Sequence, residues 1–134
     1  MTDRYDDLQA SYRRCLRQGH FIERIYSRFM DSHPEIPPLF AGTDFSRQSM
    51  ALRRGISSAI AHAAGSRLAE RTMLAMAQVH GALGRAPVPP RLYPFWVDSL
   101  VAAVAETDPE FTPRLGQRWR QAMETTTAFF IGHH

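Results

Sequence analysis

The chain has 134 residues, of which 44% are hydrophobic and 22% are charged, a balance typical of one globular domain spanning residues 1–134. It contains no run of about 18 apolar residues, which argues against a transmembrane helix. The formal net charge is +3 and all 16 basic residues are arginine. A phosphate-binding loop with its lysine and Schiff-base lysine chemistry are therefore excluded.

The first residues, MTDRYDDLQ, are acidic and polar, unlike a signal peptide. Cys15 is the only cysteine, which excludes an internal disulfide and fits a reducing compartment. We therefore expect a cytoplasmic protein. The arginines are scattered along the chain, which favours solvated helix faces over a nucleic-acid interface. We expect neither nucleic acid nor a membrane as a partner.

Apolar residues recur at helical spacing through most of the chain, and no segment alternates as a half-buried strand would. The pattern predicts an all-α fold. Gly19 and Pro34 mark the ends of the first two helices, and Asp44 is a favourable N-cap for the third. The predicted helices cover residues 5–17, 21–32, 45–63, 68–83, 90–106 and 109–130.

The fourth predicted helix ends its apolar face in a histidine. Leu68, Met73, Met76, Ala77 and His80 are expected on one face, so the imidazole points inward. A buried imidazole needs a partner, which can be a backbone carbonyl, a carboxylate, a water molecule or a metal ion. Taken alone, His80 is more typical of a satisfied core histidine than of a ligand.

Two further polar residues lie on predicted apolar faces. Tyr26 is in the middle of the inward face of the second helix, and Gln48 is on the inward face of the third, beside Phe45 and Leu52. Small residues between positions 55 and 64 allow close approach of a neighbouring helix or a flat ligand. His62 is interpreted as a surface residue.

Four stretches in this order resemble the globin family, in particular bacterial single-domain haemoglobins and the globin domain of flavohaemoglobins. The first holds Tyr26 and Phe40, the second holds Gln48 and Leu52, and the third ends near His80. The fourth opens the fifth helix. The stretches are RIYSRFMDSHPEIPPLF, DFSRQSMALRRGI, MLAMAQVHGAL and RLYPFWVDSLVAAVAE, and the resemblance covers about residues 8–130.

The resemblance implies a globin fold around haem b, with His80 as the proximal iron ligand. It places Phe40 against the porphyrin face and Leu52 over the distal space. Tyr26 and Gln48 would donate hydrogen bonds to dioxygen. Further expected haem contacts are Leu83, Val88, Tyr93 and Phe95, and Arg85 and Arg91 are candidates for the haem propionates.

The implied function is reversible binding of dioxygen, and also of nitric oxide or carbon monoxide, with slow release and no catalytic residue. The alternative is a nitric oxide dioxygenase or peroxidase-like enzyme that uses a separate reductase, because this chain carries no reductase segment of its own. Glu124 lies about three turns too early to match the family's catalytic glutamate. A third possibility is a globin fold that has lost its cofactor and binds another partner.

Overall fold

The computed structural model describes residues 3–81, 84 and 86–134. These residues form six α-helices and two short 3-10 helices, and no strand occurs among them. The predicted all-α class is confirmed. The α-helices are α1 (Asp6–Gln18), α2 (Phe21–Ser32), α3 (Phe45–Ala63), α4 (Arg67–His80), α5 (Tyr93–Thr107) and α6 (Pro113–Gly132), with 3-10 helices at Pro37–Phe40 and Pro90–Leu92.

Capping residues set several of these boundaries. Asp44 caps α3 as predicted, because its carboxylate accepts from the backbone N–H groups of Ser46 at 3.0 Å and Arg47 at 3.4 Å. The Ser66 hydroxyl oxygen accepts from the Ala69 N–H at 3.2 Å and starts α4. The predicted bounds of α2 and α3 agree with the structure.

Two predicted helix starts are wrong. The last helix begins at Pro113 and not at residue 109, because the Thr112 hydroxyl oxygen caps it by accepting from the Leu115 N–H at 3.1 Å. The segment predicted to open the fifth helix at Pro90 forms a 3-10 turn, and the α-helix starts at Tyr93.

The most extensive helix contacts are those of α2 with α5 and of α3 with α4, while α6 packs on α3, α4 and α5. Gly55 permits the close approach of α3 to α4. A Cβ at this position would lie 2.8 Å from the terminal methyl group of Met76. The predicted role of small residues in this part of the chain, close approach of a neighbouring helix, is thus confirmed at Gly55.

The predicted inward faces of α3 and α4 need correction at their first turns. Leu68 is 84% exposed, because the five-residue step from Leu68 to Met73 rotates the helix by roughly 140°. Ala69, Met73 and Ala77 are the buried residues of α4, whereas His80, predicted to be buried, is half-buried at the end of the helix. Phe45 is 41% exposed because it is the first residue of α3 and reaches the edge of the core.

A buried polar network joins α1 to the turn before α6. The Asp108 carboxylate accepts from the Ser11 hydroxyl at 2.6 Å and from the Arg14 guanidinium at 2.7 and 2.9 Å. The Trp119 indole N–H donates to the Ser11 oxygen at 3.0 Å. Burial acts to raise the pKa of Asp108, but the hydrogen bonds from Arg14 and Ser11 outweigh it and hold the pKa below its ordinary value.

Within the described residues, no helix combines the length and the apolar character that crossing a membrane requires.

Candidate functional site

His80 is the last residue of α4, and the chain turns back over it. Its Nδ1 lies 3.1 Å from the carbonyl oxygen of Ala86. The Ala86 N–H donates to the Val79 carbonyl at 3.1 Å, and the Val88 N–H donates to the His80 carbonyl at 3.0 Å. These three bonds fix both the imidazole and the returning segment.

The partner of Nδ1 determines the tautomer of His80. A carbonyl oxygen only accepts hydrogen bonds, so Nδ1 must carry a proton. In the neutral imidazole the lone pair is then on Nε2, the nitrogen on the other side of the ring. A histidine that ligates a metal commonly has this arrangement, with its other ring nitrogen donating to a backbone carbonyl.

Phe130 of α6 joins His80 to Tyr93. Its ring centroid lies 6.0 Å from each of the two other rings. Phe130 is buried, while its neighbour Phe129 is half-buried. The helical spacing of Trp119, Met123 and Phe130 was the signal that could have identified it.

The hydroxyl group of Tyr93 is enclosed but unpaired. Tyr93 is 7% exposed, and its hydroxyl oxygen has no hydrogen-bond partner within the part of the chain that the structure describes. Burial raises the pKa of this phenol above its ordinary value, so the group stays neutral. An unpaired buried hydroxyl costs free energy, so Tyr93 is an unsatisfied point in the described part of the core.

An aromatic cluster lies at the start of α3. The Tyr26 ring packs edge-on against Phe40 and Phe45, each at 5.6 Å between centroids. Phe40 stacks on Phe45 at 6.0 Å and meets Phe29 edge-on at the same separation. Phe45 was predicted to face inward, but its membership of this cluster was not predicted.

Tyr26 and Gln48 meet, though not through the side chain of Gln48. The Tyr26 hydroxyl donates to the backbone carbonyl of Gln48 at 3.2 Å. Burial raises the pKa of Tyr26 to about 12, so the phenol keeps its proton at neutral pH and can act as a donor. Gln48 and Leu52 are half-buried one helical turn apart on α3.

Phe40 and Val88 pack against both the main core and a smaller cluster formed by Phe29, Ile36 and Leu92. Phe95 packs on this smaller cluster, with its ring 5.0 Å from that of His33.

The expected site residues thus form two groups, Tyr26 with Phe40 and Gln48, and His80 with Tyr93 through Phe130. They are on helices that pack on each other. Leu83 and Arg85 lie outside the described residues.

Two other expectations need correction or refinement. His62 is not a surface residue, because it is half-buried with its ring 4.8 Å from Phe129 and its Nδ1 enclosed. Arg91, a candidate for the haem propionates, is engaged by the Glu35 carboxylate in a two-point ion pair.

The chain is similar to a protein of known crystal structure from Pseudomonas aeruginosa PAO1, which is described as structurally highly homologous to a human haemoglobin. The two sequences are 30% identical. The match has a TM-score of 0.91 and covers 98% of both chains. No protein-family model and no curated protein matches the sequence. The chain belongs to the globin family.

Replacing Tyr93 by Phe tests the unpaired hydroxyl. We expect the free energy of unfolding of the purified protein without added haem to stay unchanged or to rise by up to about 1 kcal/mol, because no hydrogen bond is lost. The measurement is urea denaturation followed by circular dichroism. Tyr12→Phe is the matched control, because the Tyr12 hydroxyl donates to the Arg53 carbonyl at 2.8 Å and its removal should cost about 1 kcal/mol. Equal losses in the two variants would mean that Tyr93 has a partner.

Proposed function

We propose that this globin binds haem b and that the Nε2 atom of His80 ligates the iron. The observation that carries the proposal is the bond between His80 Nδ1 and the Ala86 carbonyl, because it leaves the Nε2 lone pair available. The same bond holds the ring in one orientation, so a metal ion approaching Nε2 meets a ligand that is already oriented.

The residues around His80 and Tyr26 suit a large apolar group such as a porphyrin, with polar side chains beside it. Phe40, Leu52 and Val88 are apolar and only partly buried by protein, so each keeps surface that a porphyrin can cover. Phe95 has the same character, and Leu83 is proposed as a further contact. The enclosed hydroxyl of Tyr93 has no partner within the described residues, so this polar group is available to a bound ligand. The haem, when bound, would supply the iron at which dioxygen, nitric oxide or carbon monoxide binds reversibly.

Tyr26 would slow the release of dioxygen. Its phenol is neutral and buried, and rotation about the C–O bond can turn its proton from the Gln48 carbonyl toward a gas molecule in the pocket. The hydroxyl has one proton, so one hydrogen bond is exchanged for another. The net stabilisation of bound dioxygen is therefore smaller than the free energy of a full hydrogen bond. We take it as about 1 kcal/mol, which corresponds to a roughly fivefold slower release of dioxygen. The Gln48 side-chain amide is proposed as the second donor.

A flavohaemoglobin-like role is the second candidate. The neutral Tyr26 phenol within a wall of aromatic rings favours it, because such a pocket retains dioxygen long enough to meet nitric oxide. Oxidation of nitric oxide to nitrate, or a peroxidase-like reaction, would then require a separate reductase in the cytoplasm.

His80→Ala tests the iron ligand. We expect the variant to lose most of its affinity for hemin, because it lacks the imidazole that is proposed to hold the iron. Titration with hemin, followed at the Soret band, measures this. The control is His20→Ala, because the His20 side chain is largely exposed at the start of α2. Hemin binding by His80→Ala with the spectrum and affinity of the parent protein would refute the assignment.

Tyr26→Phe tests the distal donor. We expect dioxygen to dissociate about 3 to 10 times faster, since the phenol proton is lost while the ring packing is kept. Stopped-flow displacement of dioxygen by carbon monoxide gives the rate. Tyr12→Phe should leave this rate unchanged. An unaltered rate in Tyr26→Phe would show that its hydroxyl remains on the Gln48 carbonyl.

Repeated mixing with nitric oxide separates the two candidate functions. The oxygenated protein is supplied with NADH and a purified flavin reductase, and nitrate is measured over time. We expect a reversible binder to form about one equivalent of nitrate and then stop. Many equivalents per haem, formed at a constant rate, would establish the dioxygenase.

A further inference from the structure

The outward side of α3 has an unusual composition. Arg47, Met50 and Arg54 follow one another at steps of three and four residues, so they share one stripe of the helix, and Arg53 flanks it. All four are exposed, and Met50 is 60% exposed. We call these four residues the arginine face.

The arginine face carries positive charge without compensation from its own helix. α3 contains no aspartate or glutamate, and the Asp44 carboxylate that precedes it accepts from backbone N–H groups as the N-cap. Five other arginines are paired with carboxylates, namely Arg14, Arg28, Arg91, Arg118 and Arg120. Within the described part of the chain, Arg47, Arg53 and Arg54 form no such pair.

The arginine face adjoins the candidate site. Gln48, whose carbonyl accepts from Tyr26, follows Arg47 directly, and Leu52 precedes Arg53. Phe45, the first residue of α3, is 41% exposed, and its ring stacks on that of Phe40. A molecule that covers the arginine face therefore comes close to the aromatic cluster.

These side chains suit an acidic protein surface. Arginine, methionine and aromatic residues are enriched in the centres of protein interfaces, and the planar guanidinium pairs with carboxylates in a two-point geometry. A membrane is a poorer match, because Met50 is the only large apolar side chain among the four residues of the arginine face. The modest net charge of +3 also speaks against a nucleic acid.

We propose that the arginine face docks an acidic electron-donor protein of the ferredoxin or flavodoxin class. This inference rests on the proposed haem function. With haem bound, the ferric iron would gain the one electron that the reduced donor loses, so donor oxidation and iron reduction would balance without a further reactant. Docking beside the aromatic cluster keeps the transfer distance short, and the charge pattern raises the rate of encounter.

The test compares two triple variants with the same change in charge. The first is Arg47→Gln/Arg53→Gln/Arg54→Gln. The matched control is Arg67→Gln/Arg71→Gln/Arg114→Gln, which removes three exposed arginines that lie on α4 and α6. The probe is a reduced plant-type [2Fe–2S] ferredoxin, mixed anaerobically with the ferric, haem-loaded globin. Stopped-flow absorbance follows reduction of the iron as the ionic strength is raised from about 0.02 to about 0.3 M.

We expect the second-order rate constant of the parent protein to fall about tenfold over this range of salt. At low salt the first variant should react about tenfold more slowly than the parent, while the control stays within about twofold of it. Equal rates in the two variants, or a rate for the parent that does not depend on salt, would overturn the proposal.

Two further measurements separate docking from haem binding and from membrane attachment. Calorimetric titration of the haem-free protein with the same ferredoxin should show binding that only the first variant loses, so docking is tested even if the haem function fails. Sedimentation with phosphatidylglycerol vesicles should leave the protein in the supernatant. Retention on vesicles through the arginine face, together with no affinity for ferredoxin, would replace the protein partner by a membrane surface.

Discussion

The hydrogen bond between His80 Nδ1 and the Ala86 carbonyl sets the tautomer and the orientation of the His80 ring, on which the proposed site depends. It needs a returning chain segment, and backbone bonds at Val79 and His80 hold that segment in place. It also sets the tautomer, since a carbonyl accepts and never donates. A free imidazole at the end of α4 would rotate and present either nitrogen. With Nδ1 fixed, the ring presents only Nε2 as a ligand, and its packing on Phe130 restricts the ring further.

In the proposed function, the other side of the site would depend on competition for the single phenol proton of Tyr26. The Tyr26 phenol is neutral because burial raises its pKa, and it already donates to a backbone carbonyl of α3. The contacts with Phe40 and Phe45 hold the ring while leaving the hydroxyl free to rotate. If Tyr26 donates to a gas ligand as proposed, the new hydrogen bond must therefore be stronger than the bond to the Gln48 carbonyl that it replaces. The modest strength of that bond, with its length of 3.2 Å, makes the exchange feasible.

Helical periodicity and turn chemistry predicted most of the fold, because these are local properties of the sequence. The bounds of α2 and α3 and the cap at Asp44 follow from neighbouring residues alone. The errors have a different origin. Leu68 was placed inward by counting steps without following the rotation of the helix. The enclosure of His62 depends on Phe129, which is 67 residues further along the chain and cannot be inferred from local pattern.

For the candidate site, too, the sequence pattern predicted the residue types but not their hydrogen-bond partners. The residue types at positions 26, 48 and 80 could be selected from the sequence because polar side chains are rare on apolar helix faces. Their partners could not be selected in this way. The acceptors for Tyr26 and His80 are both backbone carbonyls, which every residue has, so side-chain identity carries no information about them. The unpaired hydroxyl of Tyr93 is likewise visible only in three dimensions. The two carbonyls fix the orientation of the Tyr26 hydroxyl and the His80 ring, which the choice of side chains alone does not determine.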